Sequence, residues 1–178
     1  RPTALPPECV VLVATIRALK MHGGVKKEEL KTENLKALEA GMSNLQRHVE
    51  NVKKFGLVPV VSINRFSADT DAEIALVKSA CAKLGVEAVM ADHWAEGGKG
   101  AADVAHAVVK AVESGKSDMK LLYPDEMPLI EKIRTIAKEI YRAADISVPK
   151  PVRDQLASFE AMGFGKVPVC IAKTQYSF

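Results

Sequence analysis

Two aromatic residues, Phe66 and Trp94, lie in polar segments that directly follow apolar runs of the chain. Aromatic residues make up only 5% of the sequence, and Trp94 is its single tryptophan. If the two apolar runs are neighbouring strands, the rings could hold a flat heterocycle between them by stacking. Asn64, which follows its apolar run directly, has an amide that could pair with such a ligand. Two alternatives stay open: the rings pack against each other, or Phe66 makes a helix-entry contact.

Three basic side chains, Arg17, Lys20 and His22, follow the first apolar run and precede Gly23 and Gly24. Glycines let a backbone approach a ligand closely, and cations at a strand end could bind an anion. The three are therefore candidate anion contacts, and His22 is also a candidate acid–base group. The alternative is a solvated basic turn with a structural histidine.

A glycine-rich turn over residues 95–100 invites comparison with a phosphate-binding loop, but the pattern fails. Such a loop needs G-x-x-x-x-G-K-[ST], whereas here His93 occupies the first glycine position and Gly100 the Ser/Thr position. The dinucleotide fingerprint, the zinc-protease motif, the Cys-x-x-Cys pair and the serine nucleophile elbow are also absent. Apart from the candidate acid–base group His22, these patterns nominate no catalytic residue and no metal ligand, and they disfavour a nucleotide phosphotransferase.

Strands and helices that alternate along the chain must position these segments. Apolar runs typical of buried parallel strands cover residues 9–14, 58–63, 86–90 and 167–172. Apolar spacings of three and four predict helices over residues 32–55, 104–112, 126–142 and 152–159, and one that follows a capping box at Thr70 and Glu73. This order predicts an α/β fold with a mostly parallel sheet flanked by helices, in which ligands bind beyond the carboxyl ends of strands. The polar residues Lys173 and Thr174 follow the last run and could read a nucleotide base or simply be surface.

Length and composition exclude several classes of protein. The 178 residues contain 48% hydrophobic and 26% charged residues, which excludes a disordered chain, a collagen-like repeat and a disulfide miniprotein. No stretch is long and apolar enough for a membrane span, and a net charge of +3 gives no sign of nucleic-acid binding. The three cysteines are expected to be reduced, buried thiols, which fits a reducing compartment, and we expect a cytoplasmic protein, with an organellar form as the alternative. Because the chain starts at Arg1 without a signal peptide and stops just past a strand-like run, we expect a fragment of a longer protein.

Several separate motifs together resemble the formate–tetrahydrofolate ligase family, also called 10-formyltetrahydrofolate synthetase. The similarity covers essentially the whole chain, in the same order. It is carried by residues 10–25 (VVLVATIRALKMHGGV), 33–56, 62–73 (SINRFSADTDAE), 93–101 (HWAEGGKGA) and 163–178 (GFGKVPVCIAKTQYSF).

The resemblance implies a reaction of one-carbon metabolism. ATP, with Mg²⁺ and often a monovalent cation, phosphorylates formate to formyl phosphate, and the N10 amine of tetrahydrofolate then attacks the formyl carbon. By the same resemblance, Phe66 and Trp94 sandwich the pterin ring and Met90 lines the same pocket, while Lys173 and Thr174 lie near the adenine. Arg17 and His22 lie within a family motif without an assigned role. The family also implies a P-loop NTPase-like fold and a homo-oligomer in the full enzyme.

The chain departs from the family most clearly in what it lacks. Members are much longer, and their phosphate loop lies N-terminal to anything in this sequence. We therefore expect residues 1–178 to be one partial α/β domain, the pterin-pocket half of a larger ligase domain, inactive without the remainder of the ligase chain. The alternatives are a non-catalytic truncated relative, acting as a folate-binding or interaction module, and a purely structural lobe that needs its missing half to fold.

Overall fold

A computed structural model of the protein describes residues 5–172, and Lys173 and Thr174 lie outside that range. The chain divides into two units between Met119 and Lys120. The first unit contains the sheet together with Phe66 and Trp94, and the second is helical. Among residues 5–172, no helix combines the length and the apolarity that crossing a membrane requires.

Three parallel strands form the sheet of the first unit. They are β1 (Cys9–Ala14), β2 (Val58–Asn64) and β3 (Glu87–Ala91). Their order is β1-β2-β3, with Ala14 beside Ile63 and Asn64 beside Ala91. The carboxyl ends of all three strands therefore lie at one edge, where the polar segments singled out in the sequence begin. The first three predicted strands are confirmed to within one residue at each end.

Helices cover both faces of this sheet. They are α1 (Ile16–His22), α2 (Leu35–Lys54), α3 (Asp71–Lys83) and α5 (Ala102–Glu113), while the short α4 (His93–Glu96) follows β3 at the carboxyl edge. On β2, Val61 and Ile63 join the large core with residues of α1, α2 and α3, whereas Val60 packs with Ala107 and Ala111 of α5. This division follows from the two-residue period of a strand, which sends alternate side chains to opposite faces. The predicted α/β class, with a parallel sheet flanked by helices, is confirmed.

The ends of α2 and α3 follow from local sequence. Asn34 caps α2, because its side-chain oxygen accepts the Ala37 N–H at 2.9 Å, so the helix begins at Leu35 and not at the predicted residue 32. The capping box at Thr70 and Glu73 is confirmed: the Thr70 hydroxyl accepts the Glu73 N–H, and the Glu73 carboxylate accepts the Thr70 N–H, each at 3.2 Å.

The second unit contains α6 (Leu129–Glu139) and α7 (Lys150–Ala161). The predicted start of α6 at residue 126 is wrong, because Pro128 stands at the N-cap and disfavours helical geometry in the residue before it. Lys132 of α6 is fully buried, and its ammonium donates to three backbone carbonyls. These belong to Asp125, Gly165 and Val167, at 2.7, 2.8 and 3.0 Å.

The prediction of a last strand over residues 167–172 is wrong. The segment is irregular, although its apolar composition is typical of a strand. Side chains bond its backbone: the Val169 N–H donates to the Tyr123 hydroxyl at 3.0 Å, and the Val167 carbonyl accepts from Lys132. Strand propensity reflects packing in a sheet, and here local side-chain partners satisfy the same groups.

The cysteines are only partly as predicted. All three are free thiols; Cys81 is buried, Cys9 is half-buried and Cys170 is exposed. Burial raises the pKa of the Cys81 thiol to about 11, so this thiol is inert at neutral pH. The prediction of burial is right for Cys81 and wrong for Cys170.

Candidate functional site

A pocket of about 580 Å³ lies at the carboxyl ends of β2 and β3. Both aromatic residues singled out in the sequence line it. The complete lining is Asn64, Arg65, Phe66, Ser67, Ala91, Asp92, His93, Trp94 and Ala95. Two short segments supply all of these residues, each starting at the last residue of its strand, so the parallel register of β2 and β3 is what creates the pocket.

Phe66 lies in a turn that is held by two hydrogen bonds between Phe66 and Asp69. The Arg65 N–H donates to the Ala91 carbonyl at 3.1 Å and so continues the link between the two strands. The Phe66 N–H donates to the Asp69 carboxylate at 2.8 Å, and the Asp69 N–H donates back to the Phe66 carbonyl at 3.0 Å. The Arg17 guanidinium lies over the Phe66 ring, 5.0 Å from its centroid.

Trp94 stands on the first turn after β3. Its segment is anchored by Asp92, whose carbonyl accepts the N–H groups of Ala95 and Glu96 at 3.1 and 3.0 Å. The Asp92 N–H donates to the Gly100 carbonyl at 2.9 Å. The Trp94 side chain is 92% exposed, so it does not pack on Phe66 in the way that the alternative for this pair of rings requires. Both rings thus line one pocket while the face of Trp94 stays open.

Polar groups on the same pocket supply hydrogen-bond acceptors and donors. A carboxylate oxygen of Asp92 lies 3.9 Å from the Arg65 guanidinium, and both side chains are partly exposed. The Asn64 amide oxygen is 3.3 Å from the Ser62 hydroxyl, which can donate to it. A planar ring carrying N–H donors and a carbonyl would find acceptors, a cationic donor and two aromatic faces within this lining.

Lys20 does not support an anion-binding role. It is fully buried, and its ammonium donates to Glu73 at 2.8 Å and to the Thr32 carbonyl at 3.0 Å. Burial alone would raise the pKa of Glu73. Hydrogen bonds from Lys20 and from the N–H groups of Asn34 and Thr70 outweigh burial and hold that pKa below its usual value.

The other predicted anion contacts have different surroundings. Arg17 covers the Phe66 ring, whereas His22 is exposed in the last turn of α1, where the helix dipole disfavours an anion. The structure therefore does not assemble Arg17, Lys20 and His22 into one anion site. Met90 is not among the described residues that line the pocket, and it packs against the large core.

Asp69 supports the turn of Phe66 from outside the pocket lining, and it was not predicted from the sequence. It is buried, and its Oδ1 has no hydrogen-bond partner among the residues that the structure describes. Burial and the nearby Glu73 carboxylate raise the pKa of Asp69, against the opposing effects of the Phe66 N–H, Lys20 and Arg17. Its side chain accepts the N–H of the residue three positions earlier in the chain, and no sequence pattern distinguishes this Asp from the other polar residues of its segment.

A second pocket, of about 490 Å³, lies at the opposite edge of the sheet, where β2 and β3 begin. It contains lysines, but two of them are engaged within the protein. Lys53 donates to the Leu84 carbonyl at 2.6 Å, and Lys110 pairs with Glu87 at 2.9 Å. Ligands of open parallel sheets bind at the carboxyl edge, so the pocket of Phe66 and Trp94 is the candidate site.

Comparison with known proteins confirms the resemblance seen in the motifs. The model of the formate–tetrahydrofolate ligase family matches residues 1–178. The formate–tetrahydrofolate ligase of Granulibacter bethesdensis is 57% identical over all 178 residues, which cover 31% of that protein. Those of Hyphomonas neptunium and Pelagibacter ubique are each 54% identical over 178 residues, which cover 32% of each. The chain thus spans about a third of the length of these curated relatives, and it belongs to the formate–tetrahydrofolate ligase family.

Proposed function

We propose that this chain forms the pterin-binding part of an ATP-dependent ligase that joins formate to tetrahydrofolate, a reaction of one-carbon metabolism. One observation carries the proposal: in a chain of this family, Phe66 and Trp94 line the same pocket at the carboxyl edge of a parallel sheet. The pterin of tetrahydrofolate is a flat heterocycle of the kind that two such rings can hold.

In the proposed complex the pterin lies between Phe66 and Trp94. Its ring N–H and amino groups donate to acceptors of the lining, of which the Asp92 carboxylate and the Asn64 amide are available. Stacking of a base on an aromatic side chain contributes about 1–3 kcal/mol, as measured by alanine substitution. Since the Trp94 ring is 92% exposed, it gains most of its ligand contact without breaking contacts within the protein.

The proposed chemistry proceeds through formyl phosphate. ATP transfers its terminal phosphoryl group to formate, the N10 amine attacks the formyl carbon, and phosphate leaves, giving 10-formyltetrahydrofolate, ADP and phosphate. The protein must hold N10 against a reactive acyl phosphate and exclude water, which positioning on rigid strand ends favours. The part assigned to this chain is to hold the folate, and none of its residues is given a catalytic role.

Few residues of this chain are proposed to contact the nucleotide. We propose that Lys173 and Thr174 contact ATP, and that Met90 borders the pterin pocket in the complete ligase. Among residues 5–172, no cluster of three or more His, Cys, Asp or Glu side chains is placed to hold a metal. We therefore assign no ligand for Mg²⁺ or a monovalent cation within that range. We further propose that residues 1–178 belong to a single larger domain of a cytoplasmic, homo-oligomeric enzyme.

The fluorescence of Trp94 tests the proposed binding site directly, because it is the only tryptophan. We expect saturable quenching on titration with tetrahydrofolate, after correction for ligand absorbance. Phe66→Ala should raise the Kd about 5- to 150-fold, which corresponds to the loss of one stacking face.

Phe159 provides a matched control for that substitution. The Phe66 ring is 41% exposed and Phe159, on α7, is 39% exposed. Phe159→Ala should therefore leave the Kd unchanged within twofold. Saturable quenching that survives Phe66→Ala unweakened would show that tetrahydrofolate binds elsewhere, and no saturable quenching would contradict the pocket in this chain.

A further inference from the structure

The two faces of the Phe66 ring have different surroundings. Phe66 lines the pocket, whereas the Arg17 guanidinium lies over the ring, 5.0 Å from its centroid. Arg17 is not among the described residues that line the pocket. Since Arg17 does not line the pocket, its guanidinium leaves the part of Phe66 that borders the pocket available to a ligand.

The backbone of Phe66 is fixed, but its side chain needs a second support. The two hydrogen bonds with Asp69, at 2.8 and 3.0 Å, hold the turn. Phe66 is 41% exposed, so packing against the protein covers only part of it. A guanidinium over a ring face is held there by the quadrupole of the ring, and the attraction grows when solvent is displaced.

The positive charge of Arg17 also acts on the carboxylate that closes the Phe66 turn. Burial raises the pKa of Asp69, and the positive charge of Arg17 is among the influences that oppose this rise. Arg17 thus lies near the carboxylate that closes the Phe66 turn as well as over the Phe66 ring. One side chain on α1 couples the end of β1 to the ring at the end of β2.

We propose that Arg17 is a positioning residue for tetrahydrofolate: its guanidinium covers the rear face of Phe66 and holds the other face towards the pterin. This inference rests on the proposed function, because it assigns a role within the same pocket. It replaces the role of anion contact that the sequence suggested for Arg17. An anion contact would affect the Kd only of a ligand that carries the charged tail, whereas a positioning role would affect the Kd of ligands with and without it.

The test compares tetrahydrofolate with 6-methyltetrahydropterin, which has the same reduced pterin but no glutamate carboxylates. Binding of each is measured by Trp94 fluorescence in the parent chain and in Arg17→Met, Arg17→Lys, Phe66→Ala and the double variant Arg17→Met/Phe66→Ala. Arg153→Met is the matched control, since Arg153 is an exposed arginine on α7. Thermal melts verify that each variant is folded, and Arg17→Gln replaces Arg17→Met if the latter unfolds.

For both ligands we expect Arg17→Met to raise the Kd about 2- to 30-fold, the range of one cation–π contact. Arg17→Lys should restore most of the affinity, because it keeps the cation that a role in packing alone would not need. In the Phe66→Ala background, Arg17→Met should have no further effect, and Arg153→Met should have none at all.

Three results would overturn the inference while leaving the pocket in place. They are an unchanged Kd in Arg17→Met, a loss confined to tetrahydrofolate, which would make Arg17 an anion contact, and an undiminished effect of Arg17→Met without Phe66. A parent chain that shows no saturable quenching with either ligand would overturn the proposed binding site itself, and the inference with it.

Discussion

At the scale of single residues, a buried ion pair between Lys20 and Glu73 connects the helices that pack on one face of the sheet. Both side chains are fully buried, and their charged atoms are 2.8 Å apart. Glu73 also accepts the N–H groups of Asn34, at 3.1 Å, and of Thr70. One carboxylate thus joins α1 and the caps of α2 and α3, the helices that cover one face of the sheet.

We predict that Glu73→Gln lowers the free energy of unfolding by about 3–5 kcal/mol at pH 7, because it leaves the Lys20 ammonium buried without a counter-ion. Urea denaturation measures the change. The double variant Lys20→Met/Glu73→Gln should be more stable than Glu73→Gln alone. The surface control Asp154→Asn, which breaks an exposed pair with Lys150, should cost no more than about 1 kcal/mol.

The pH dependence of this effect follows from the lowered pKa of Glu73. A carboxyl whose folded pKa lies below its unfolded value stabilises the fold above the unfolded pKa and loses that contribution as pH falls through the folded pKa. The difference between the parent chain and Glu73→Gln should therefore be full at neutral pH and shrink below the usual glutamate range. A difference that stays constant down to pH 3 would contradict the assignment.

Individual residues also show what sequence alone can and cannot predict here. The aromatic pair could be located, because composition makes Trp94 and Phe66 conspicuous at strand ends. The burial of Lys20 could not be predicted, because its partner Glu73 is 53 positions away in the chain. From sequence, a lysine on a basic turn cannot be distinguished from a lysine that reaches into the core, and only the packing of α1 on α2 and α3 decides.

At the scale of elements, the segment between β3 and α5 depends on one close approach of the backbone. A Cβ atom at Gly100 would lie 2.4 Å from the Asp92 carbonyl oxygen, nearer than such atoms can come. The same carbonyl accepts the N–H groups that begin the turn of Trp94. Glycine is required at position 100 by this contact, rather than by a phosphate-loop role, since the phosphate-loop pattern has Ser or Thr there.

We predict that Gly100→Ala displaces the turn that carries Trp94 and raises the Kd for tetrahydrofolate more than tenfold. Gly98 offers a control in the same segment, because nothing lies within 4 Å of a Cβ built there. Gly98→Ala should change the Kd less than twofold. Trp94 fluorescence measures both, and equal effects of the two substitutions would contradict a specific role for Gly100.

The elements themselves were predictable where pattern and packing agree. β1, β2 and β3 are short apolar runs that become strands because each finds a neighbour in the sheet. The run over residues 167–172 has the same composition but is irregular, since the Tyr123 hydroxyl and Lys132 satisfy backbone groups that a ladder would use. Composition indicates the tendency of a segment to form a strand, but it does not show whether a neighbouring strand is available for pairing.

At the scale of the whole molecule, the function that we propose separates holding folate from transferring phosphate. The pocket for a flat ring is assembled within residues 64–95, from two strand ends of one sheet. The motif that cradles nucleotide phosphates, G-x-x-x-x-G-K-[ST], does not occur in the 178 residues. The chain matches about a third of the length of each curated relative.

We therefore predict that the chain by itself binds tetrahydrofolate but forms no 10-formyltetrahydrofolate from ATP and formate above a protein-free background. Phosphoryl transfer depends on cations and backbone donors around the phosphates, and removing such groups costs orders of magnitude in rate. Product formation and ADP release are measured together. Turnover that Phe66→Ala abolishes would contradict this prediction and show that the chain holds a complete site.

Binding without turnover is also what a non-catalytic folate-binding module would show, and a chimera separates the two. Residues 1–178 replace the matching third of the Granulibacter bethesdensis relative, which is 57% identical to them. If the chain is a working part of a ligase, the chimera should regain turnover, and Phe66→Ala within it should lower kcat/KM for tetrahydrofolate by the factor by which it raises the Kd. A folded chimera that binds tetrahydrofolate but stays inactive would favour the module, because the rest of a ligase would then be present and only the contribution of this chain would be deficient.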